Sequence, residues 1–419
     1  METPPRMSRP VAAQTLMKPM QAPQEQKSVN SPIEVAVLRT MAELEAIREV
    51  WESWPGNRDS EIDSYLTSLR LNPQTVRPHV MVVYHDGRPD ALLVGRIDKG
   101  HIRCRLGYSS VSFAARIMCF VYGALRGNPT EENCGVLIDE VLRSLSDGEA
   151  DVAYLNFLRR ESNLCRLAMT RPGFLMRDHV NLTQPHFAAR LPATVEDFYR
   201  GLSPKVRKNQ KWQARKLVNH FSGAVRISCV RELADVEDLI RDVEHVAAKS
   251  YQRGLGVGFV VNAATREHLR LKARRGWLRA YVLYIEERPC AFWIGDINGA
   301  TFGSDYIGYD AEFAGHSPGM YLVMKVIESF CDGNREGVTE VDFGQGHAQY
   351  KQVLANEEWT ESLVQIFAPT VKGISLNLVR TLLDGMNQST KKALASTSLL
   401  QKIRRKWRSR LTPAAAIHA

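Results

Sequence analysis

The segment VLYIEERPCAFWIGDIN, residues 282–298, reads as an antiparallel hairpin, and the chain contains it twice. VVYHDGRPDALLVGRID, residues 82–98, lies over it at a constant offset of 200, with identity at Val82/Val282, Tyr84/Tyr284, Arg88/Arg288, Pro89/Pro289, Ala91/Ala291, Gly95/Gly295 and Ile97/Ile297. Upstream, IEVAVLRTMAELEAI (33–47) resembles VRISCVRELADVEDL (225–239), each a strand, a turn and an amphipathic helix. Downstream, CGVLIDEVLRSL (134–145) resembles PGMYLVMKVIESF (318–330), and short strands follow at AYLNF (153–157) and EVDFG (340–344). Three collinear blocks in one order indicate a duplication. Each half is expected to be an α/β module built on a mixed sheet.

The expected layout is a disordered tail over 1–30, rich in Pro, Gln and Met, a first module over 31–190, a second over 191–370 and a helical basic tail over 371–419. No apolar run reaches the roughly 18 residues of a membrane span, and the N-terminus lacks the apolar core of a secretory signal, so a cytoplasmic protein is expected. The 7 cysteines are scattered without a CxxC pair, which fits reduced core thiols and argues against zinc or a disulfide framework; no metal is expected. The net charge of +9 is concentrated in KVRKNQKWQARK (205–216) and KIRRKWRSR (402–410), pointing to anionic partners for those segments.

In GYDAEFAGHSPGMYL (308–322) a strand gives way to a loop and then to an apolar helix. Ser317 is placed to cap that helix, and Pro318 at its first position loses nothing, because that N–H has no intrahelical partner. Gly319 removes the side chain that would hold a ligand away from the free N–H groups. Strand, turn and helix start together suit an anion such as a phosphate, or else form a capped helix start and nothing more.

The string FYRGLSPKVRKNQKWQARKL (198–217), followed by RPCAFWIGDINGATFGSDYIGYDAEFAGHSPGMYL (288–322) and EVDFGQGHAQYKQ (340–352), resembles the CelD-type branch of the GNAT acyltransferase superfamily, associated with cellulose and other exopolysaccharide biosynthesis. It is also similar to the Fem-type tandem-GNAT transferases. The resemblance implies tandem GNAT-like domains, the first degenerate and the second carrying the site. It implies acetyl-CoA or another acyl-CoA as donor, held by the strand residues Tyr306, Ile307, Gly308 and Tyr309 and by the helix start at Ser317, Gly319 and Met320. The loop is reduced to HSPG, which leaves aminoacyl-tRNA open as a donor.

Acyl transfer to an amine needs a base, a donor to the oxyanion and an acid for the leaving thiolate. Backbone N–H groups from Asp305 to Tyr309 are assigned to the oxyanion. Tyr350 is the candidate acid, or a core aromatic. Asp342 is the candidate base, or the cap of the turn at Gly344 and Gly346. His347 is a second base candidate, with an ordinary pKa near 6.5. Lys351, Lys205 and Lys208 are candidates for holding anionic groups of a sugar or glycan acceptor, or of tRNA. The first half has lost these residues and is expected to form one wall of the acceptor cleft. Leu400, Ile403 and Trp407 share a helical face among basic residues, which suits peripheral contact with an anionic inner membrane. A non-catalytic scaffold of a polysaccharide synthase is the alternative from another class.

Overall fold

The computed structural model describes residues 33–395 apart from 107–108, 251–252, 254–257 and 333–335; the tail read over 1–30 and the basic segment beyond 395 lie outside the described residues. The first half supplies β1 (Ile33–Leu38), β2 (Thr75–Pro78), β3 (Val80–His85), β4 (Arg88–Leu106), β5 (Ser109–Gly127), β6 (Val152–Arg159) and β7 (Leu182–Arg190). The second supplies β8 (Val225–Val230), β9 (Leu278–Ile285), β10 (Arg288–Asn298), β11 (Thr301–Tyr309), β12 (Glu340–Gln345) and β13 (Glu357–Phe367). They form one 13-stranded sheet in the order β1-β3-β4-β5-β6-β13-β7-β12-β11-β10-β9-β8, with β2 alongside β4.

The order is a near mirror about its centre, as a duplication requires. The two central strands are exchanged. β7 closes the first half in sequence yet pairs antiparallel with β12 of the second, from Arg190↔Glu340 to His186↔Gln345. β13 closes the second half yet pairs antiparallel with β6 of the first. The two meet each other from Leu182↔Leu363 to Ala188↔Glu357.

The duplicated hairpins are β3/β4 and β9/β10, and their shared glycines have one physical cause. The sheet register slips beside Gly95 and again beside Gly295. A Cβ on Gly95 would stand 2.6 Å from the Phe120 ring, and one on Gly295 would stand 2.1 Å from the Gly303 carbonyl oxygen and 2.6 Å from the Phe302 ring. Only glycine admits that approach of an aromatic to the bulged backbone. β9 is buried along nearly its whole length, so it reads as a continuous apolar run and not an alternation. Against it the Pro318–Cys331 helix buries Leu322, Val323, Val326, Ile327 and Phe330, one apolar stripe at helical spacing.

Polar ties join the halves. Arg275 meets Asp63 at 2.6 Å and Glu52 and Glu61 at 3.2 Å each. Arg58 lies 4.0 Å from the Trp277 ring centroid and donates to the Ile297 carbonyl at 2.6 Å. The Val371–Ala395 helix, inside the segment read as a tail, returns to the first half, where Leu376 packs with Ile102 and Phe367 and Arg380 pairs with the buried Asp178 at 2.5 Å. All seven cysteines are unpaired. Among the described residues no helix is long and apolar enough to cross a membrane.

Exchange makes each half dependent on the other for a central strand. Residues 33–193 produced alone should leave the β6 edge bare and collect in the insoluble fraction, as should 194–395 without β7. Co-expression of the two pieces should recover a soluble complex; a soluble, folded 194–395 monomer by circular dichroism and gel filtration would contradict this dependence.

Candidate active site

β11 and β12 run parallel but pair only over Thr301–Gly303 and Glu340–Asp342. Beyond that point they separate, β11 following β10 to Tyr309 and β12 following β7 to Gln345. Their parting opens a fork between β11 and β12. Register slip beside Gly295 places Asp305 as the extra residue of β11 at the mouth of the fork.

A cavity of about 1030 Å³ occupies the outer part of the fork. Its walls are Ile307, Gly308 and Tyr309 of β11, Ser317, Gly319 and Met320 at the start of the next helix, and the segment from His347 to Tyr350. The face of the Pro204–His220 helix that carries Lys205 and Lys208 closes it. Gly319 is what lets the helix start approach the strand: its Cβ would meet the Tyr309 ring at 3.2 Å. The first turn of this helix carries no acidic residue, and its first intrahelical bond is Tyr321 N–H to the Ser317 carbonyl, so the N–H groups of Gly319 and Met320 precede the hydrogen-bonded ladder.

One reading of this turn is corrected. Ser317 does not cap the helix with its side chain: its backbone is left-handed (φ 52°, ψ 47°), whereas a capping side chain needs an extended backbone to reach back to the second or third N–H. The preceding segment is a single 3₁₀ stretch, Ala311–His316, started by Asp310, whose carboxylate accepts from the Glu312 N–H at 2.9 Å and from Lys249 at 3.1 Å.

A second cavity, of about 760 Å³, lies between the halves and reaches the inner part of the same fork. The second half brings Gly303, Ser304, Asp305, Asp342 and Gln345 to it, and the first half brings Asn57, Arg58, Arg96, Tyr122 and His186. Asp342 is held here by two bonds to Oδ1, from the Gly344 N–H at 2.7 Å and from His186 Nε2 at 2.6 Å. It thus caps the turn at Gly344 and faces the cleft at once.

His186 is 1% exposed at its side chain, and its other nitrogen lies 3.2 Å from Glu361 Oε1. Burial alone would push its pKa down, but the Asp342 and Glu361 carboxylates reverse this and raise it to about 9. With a carboxylate at each nitrogen the ring is an imidazolium. It is stacked between Trp359, 4.3 Å away at 13°, and Tyr122, 6.3 Å away at 5°. Tyr122, Trp359 and Gln345 all donate to Glu361, which fixes the carboxylate behind the ring. The residue escaped sequence reasoning because β7 belongs to the other half; a lone His in an apolar strand carries no local signal.

Tyr350 lines the outer cavity and sets its ring edge-on to Phe343 at 5.9 Å. His347 is exposed on the outer side, 3.4 Å from Gln352, and not in the inter-half cleft. Lys351 is buried beneath the turn and donates to the Gln345 carbonyl at 2.6 Å; burial lowers its pKa to about 8, against the attraction of Asp342. The Tyr306 side chain packs on the far face of β11 against Phe259, with centroids 5.4 Å apart at 90°, leaving only its backbone on the fork. Lys205 and Lys208 flank the outer cavity and do not line the cleft. A further carboxylate, Asp305, sits in the cleft beside Lys272 at 2.5 Å, and enclosure by the cleft walls holds its pKa above the ordinary range.

A mixed sheet forked between parallel neighbours, with a helix start at the end of the fork, is a GNAT-like architecture. Residues 204–352 match the family model described as an acetyltransferase (GNAT) domain. The first half repeats its element order, so the fold is tandem GNAT-like. No curated protein matches. Solved structures to which the chain is similar include a crystal structure of FemX (9% identity, 78% of this chain and 96% of that one, TM-score 0.49). Others are a tandem GNAT protein from the clavulanic acid biosynthesis pathway (12%, 81% and 99%, 0.43) and the C-terminal domain of a putative lysylphosphatidylglycerol synthetase from Agrobacterium fabrum (12%, 82% and 96%, 0.45).

The raised pKa of His186 fixes a pH dependence. Its stabilising contribution is complete below the unfolded value near 6.5 and is lost as pH climbs through about 9. The stability gap between wild type and His186→Gln in urea unfolding should therefore be widest near pH 6 and shrink by roughly 3 kcal/mol toward pH 9.5. A gap independent of pH over that window would show that the ring is neutral.

Proposed function

We propose that the protein is an acyl-CoA-dependent N-acyltransferase whose donor occupies the outer cavity and whose acceptor amine enters the cleft between the halves. The observation that carries this is that β11 borders both cavities, the cleft at Gly303–Asp305 and the outer cavity at Ile307–Tyr309. The pantetheine arm would lie along β11 at Ile307–Tyr309, and the pyrophosphate would take the N–H groups of Gly319 and Met320, where the helix dipole favours negative charge.

Asp342 is assigned the base. Its two structural bonds fall on Oδ1, so Oδ2 is the oxygen that takes the proton as the amine attacks the thioester carbonyl. His186, as an imidazolium, acts as a positioning residue that fixes Asp342 and cannot itself accept that proton. Backbone N–H groups at the Asp305 bulge stabilise the oxyanion, and Tyr350 on the donor side gives a proton to the departing thiolate. Transfer is direct, from thioester to amine, without an acyl-enzyme.

The cleft wall is polar on both sides, with Asn57, Arg58, Arg96 and Asn156 facing Asp305 and Ser304. Such a wall suits a hydroxyl-rich acceptor, and we assign an amino sugar or a glycan of exopolysaccharide or cell-envelope synthesis. Residues 396–419 hold Lys402, Arg404, Arg405, Lys406, Arg408 and Arg410 and no Asp or Glu, which suits contact with an anionic membrane where such glycans are assembled. A Fem-like transfer from aminoacyl-tRNA is the second reading, supported by the lysines beside the donor cavity.

Calorimetric titration with acetyl-CoA tests the donor. Wild type should bind and Gly319→Trp should not, while Asp342→Asn should bind with ordinary affinity and lose about 100-fold or more in kcat with an amino-sugar acceptor. Full turnover by Asp342→Asn would remove Asp342 from the chemistry, and failure of wild type to bind any acyl-CoA would move the donor to tRNA.

A further inference from the structure

We propose that the Pro204–His220 helix carries an adenosine-phosphate subsite at the outer cavity, with Trp212 as the stacking surface and Lys205 and Lys208 as phosphate partners. The inference rests on the reading of that cavity as the donor site and adds what grips the donor's far end.

Lys205, Lys208, Trp212 and Gln213 line the cavity at spacings of three, four and one, a single face of the helix. Leu217 is the one buried residue of this helix, so the face is not committed to a core. Trp212 is 55% exposed. A tryptophan standing in water beside a cavity leaves a flat apolar surface unused, and a purine base is the ligand part that matches its shape. Lys216 lies 5.5 Å from the indole centroid and donates to the Gly315 carbonyl at 3.3 Å, tying the helix to the loop that leads into Ser317.

One further feature points to a ligand. No Asp or Glu occurs from Pro204 to His220, so nothing on the helix repels phosphate, while Lys205 and Lys208 sit at its N-terminal end. The turn at Gly319 offers backbone N–H groups but no basic side chain of its own. The helix provides the missing cations from the opposite wall of the same cavity.

Adenine with phosphate occurs both as the nucleotide end of CoA and as the 3′ terminus of tRNA, so the test needs four probes on the full chain. These are acetyl-CoA, S-acetyl-4′-phosphopantetheine, adenosine 3′,5′-bisphosphate and a CCA trinucleotide, titrated into wild type and Trp212→Ala. Acetyl-CoA should bind wild type about tenfold or more tighter than acetyl-phosphopantetheine, a gap that Trp212→Ala should close without weakening the shorter thioester. Adenosine bisphosphate should bind wild type and be lost in the variant. Equal binding of both thioesters to wild type, or an equal loss of both in the variant, would overturn the subsite and leave the donor reading standing. If neither thioester binds, the donor reading falls; Trp212-dependent binding of the trinucleotide would then keep the subsite with tRNA as its source, and no binding of any probe would end both.

Discussion

The antiparallel pairing of β7 with β12 is the contact on which both the fold and the site depend. It carries the last strand of the first half into the second and brings His186 opposite Gln345, within 2.6 Å of Asp342. It also gives β12 a strand partner on the side away from β11, so that β12 stays within the sheet where it leaves β11. Two independent modules side by side would need a separate docking surface. Here the joint is the sheet itself, and a residue from one half completes the cleft of the other.

The charges gathered at this joint could not be held there singly. A buried imidazolium or carboxylate loses several kcal/mol of hydration, which only close pairing and satisfied hydrogen bonds offset. His186 meets a carboxylate at each nitrogen, and Glu361 in turn accepts from Tyr122, Trp359 and Gln345. The two aromatic faces fix the plane of the ring. Removing the imidazole leaves two carboxylates facing each other, which is why this position is expected to be sensitive.

The parts legible in sequence were those encoded locally. The hairpins, the order of elements and the helix beginning at Pro318 follow from apolar periodicity and from the duplication, because each copy repeats the same local pattern. Ile307–Tyr309, Gly319, Met320, His347 and Tyr350 were drawn together by a motif and do border one cavity. What depended on distant pairing was not legible. Nothing around His186 signals that it faces Asp342, since that follows from the exchange. Lys351 reads as a contact for anionic groups, and only the Gly344 turn shows that its ammonium is turned inward to the Gln345 carbonyl. Ser317 has the composition of a cap, and only its left-handed backbone shows that the side chain is turned away.

The asymmetry between the halves follows from their two helix starts. In the first half the helix begins at Glu131, and Glu131 and Glu132 occupy its first turn, where they answer the dipole and repel an incoming phosphate. Asn133 is spent on bonds to Asp90 and to the Asn128 carbonyl, and the Arg171 guanidinium lies over Gly135, 2.4 Å from where a Cβ would be. The glycine persists in the copy, but the space it opens is taken by a side chain of the same half. In the second half the Tyr309 ring, not a guanidinium, stands 3.2 Å from where a Cβ of Gly319 would be, the helix start lines the cavity, and the first turn is free of acid. The two helix starts of a duplicated fold thus differ in charge and in access to the cavity, and the first half provides strand β7, one wall of the cleft and His186.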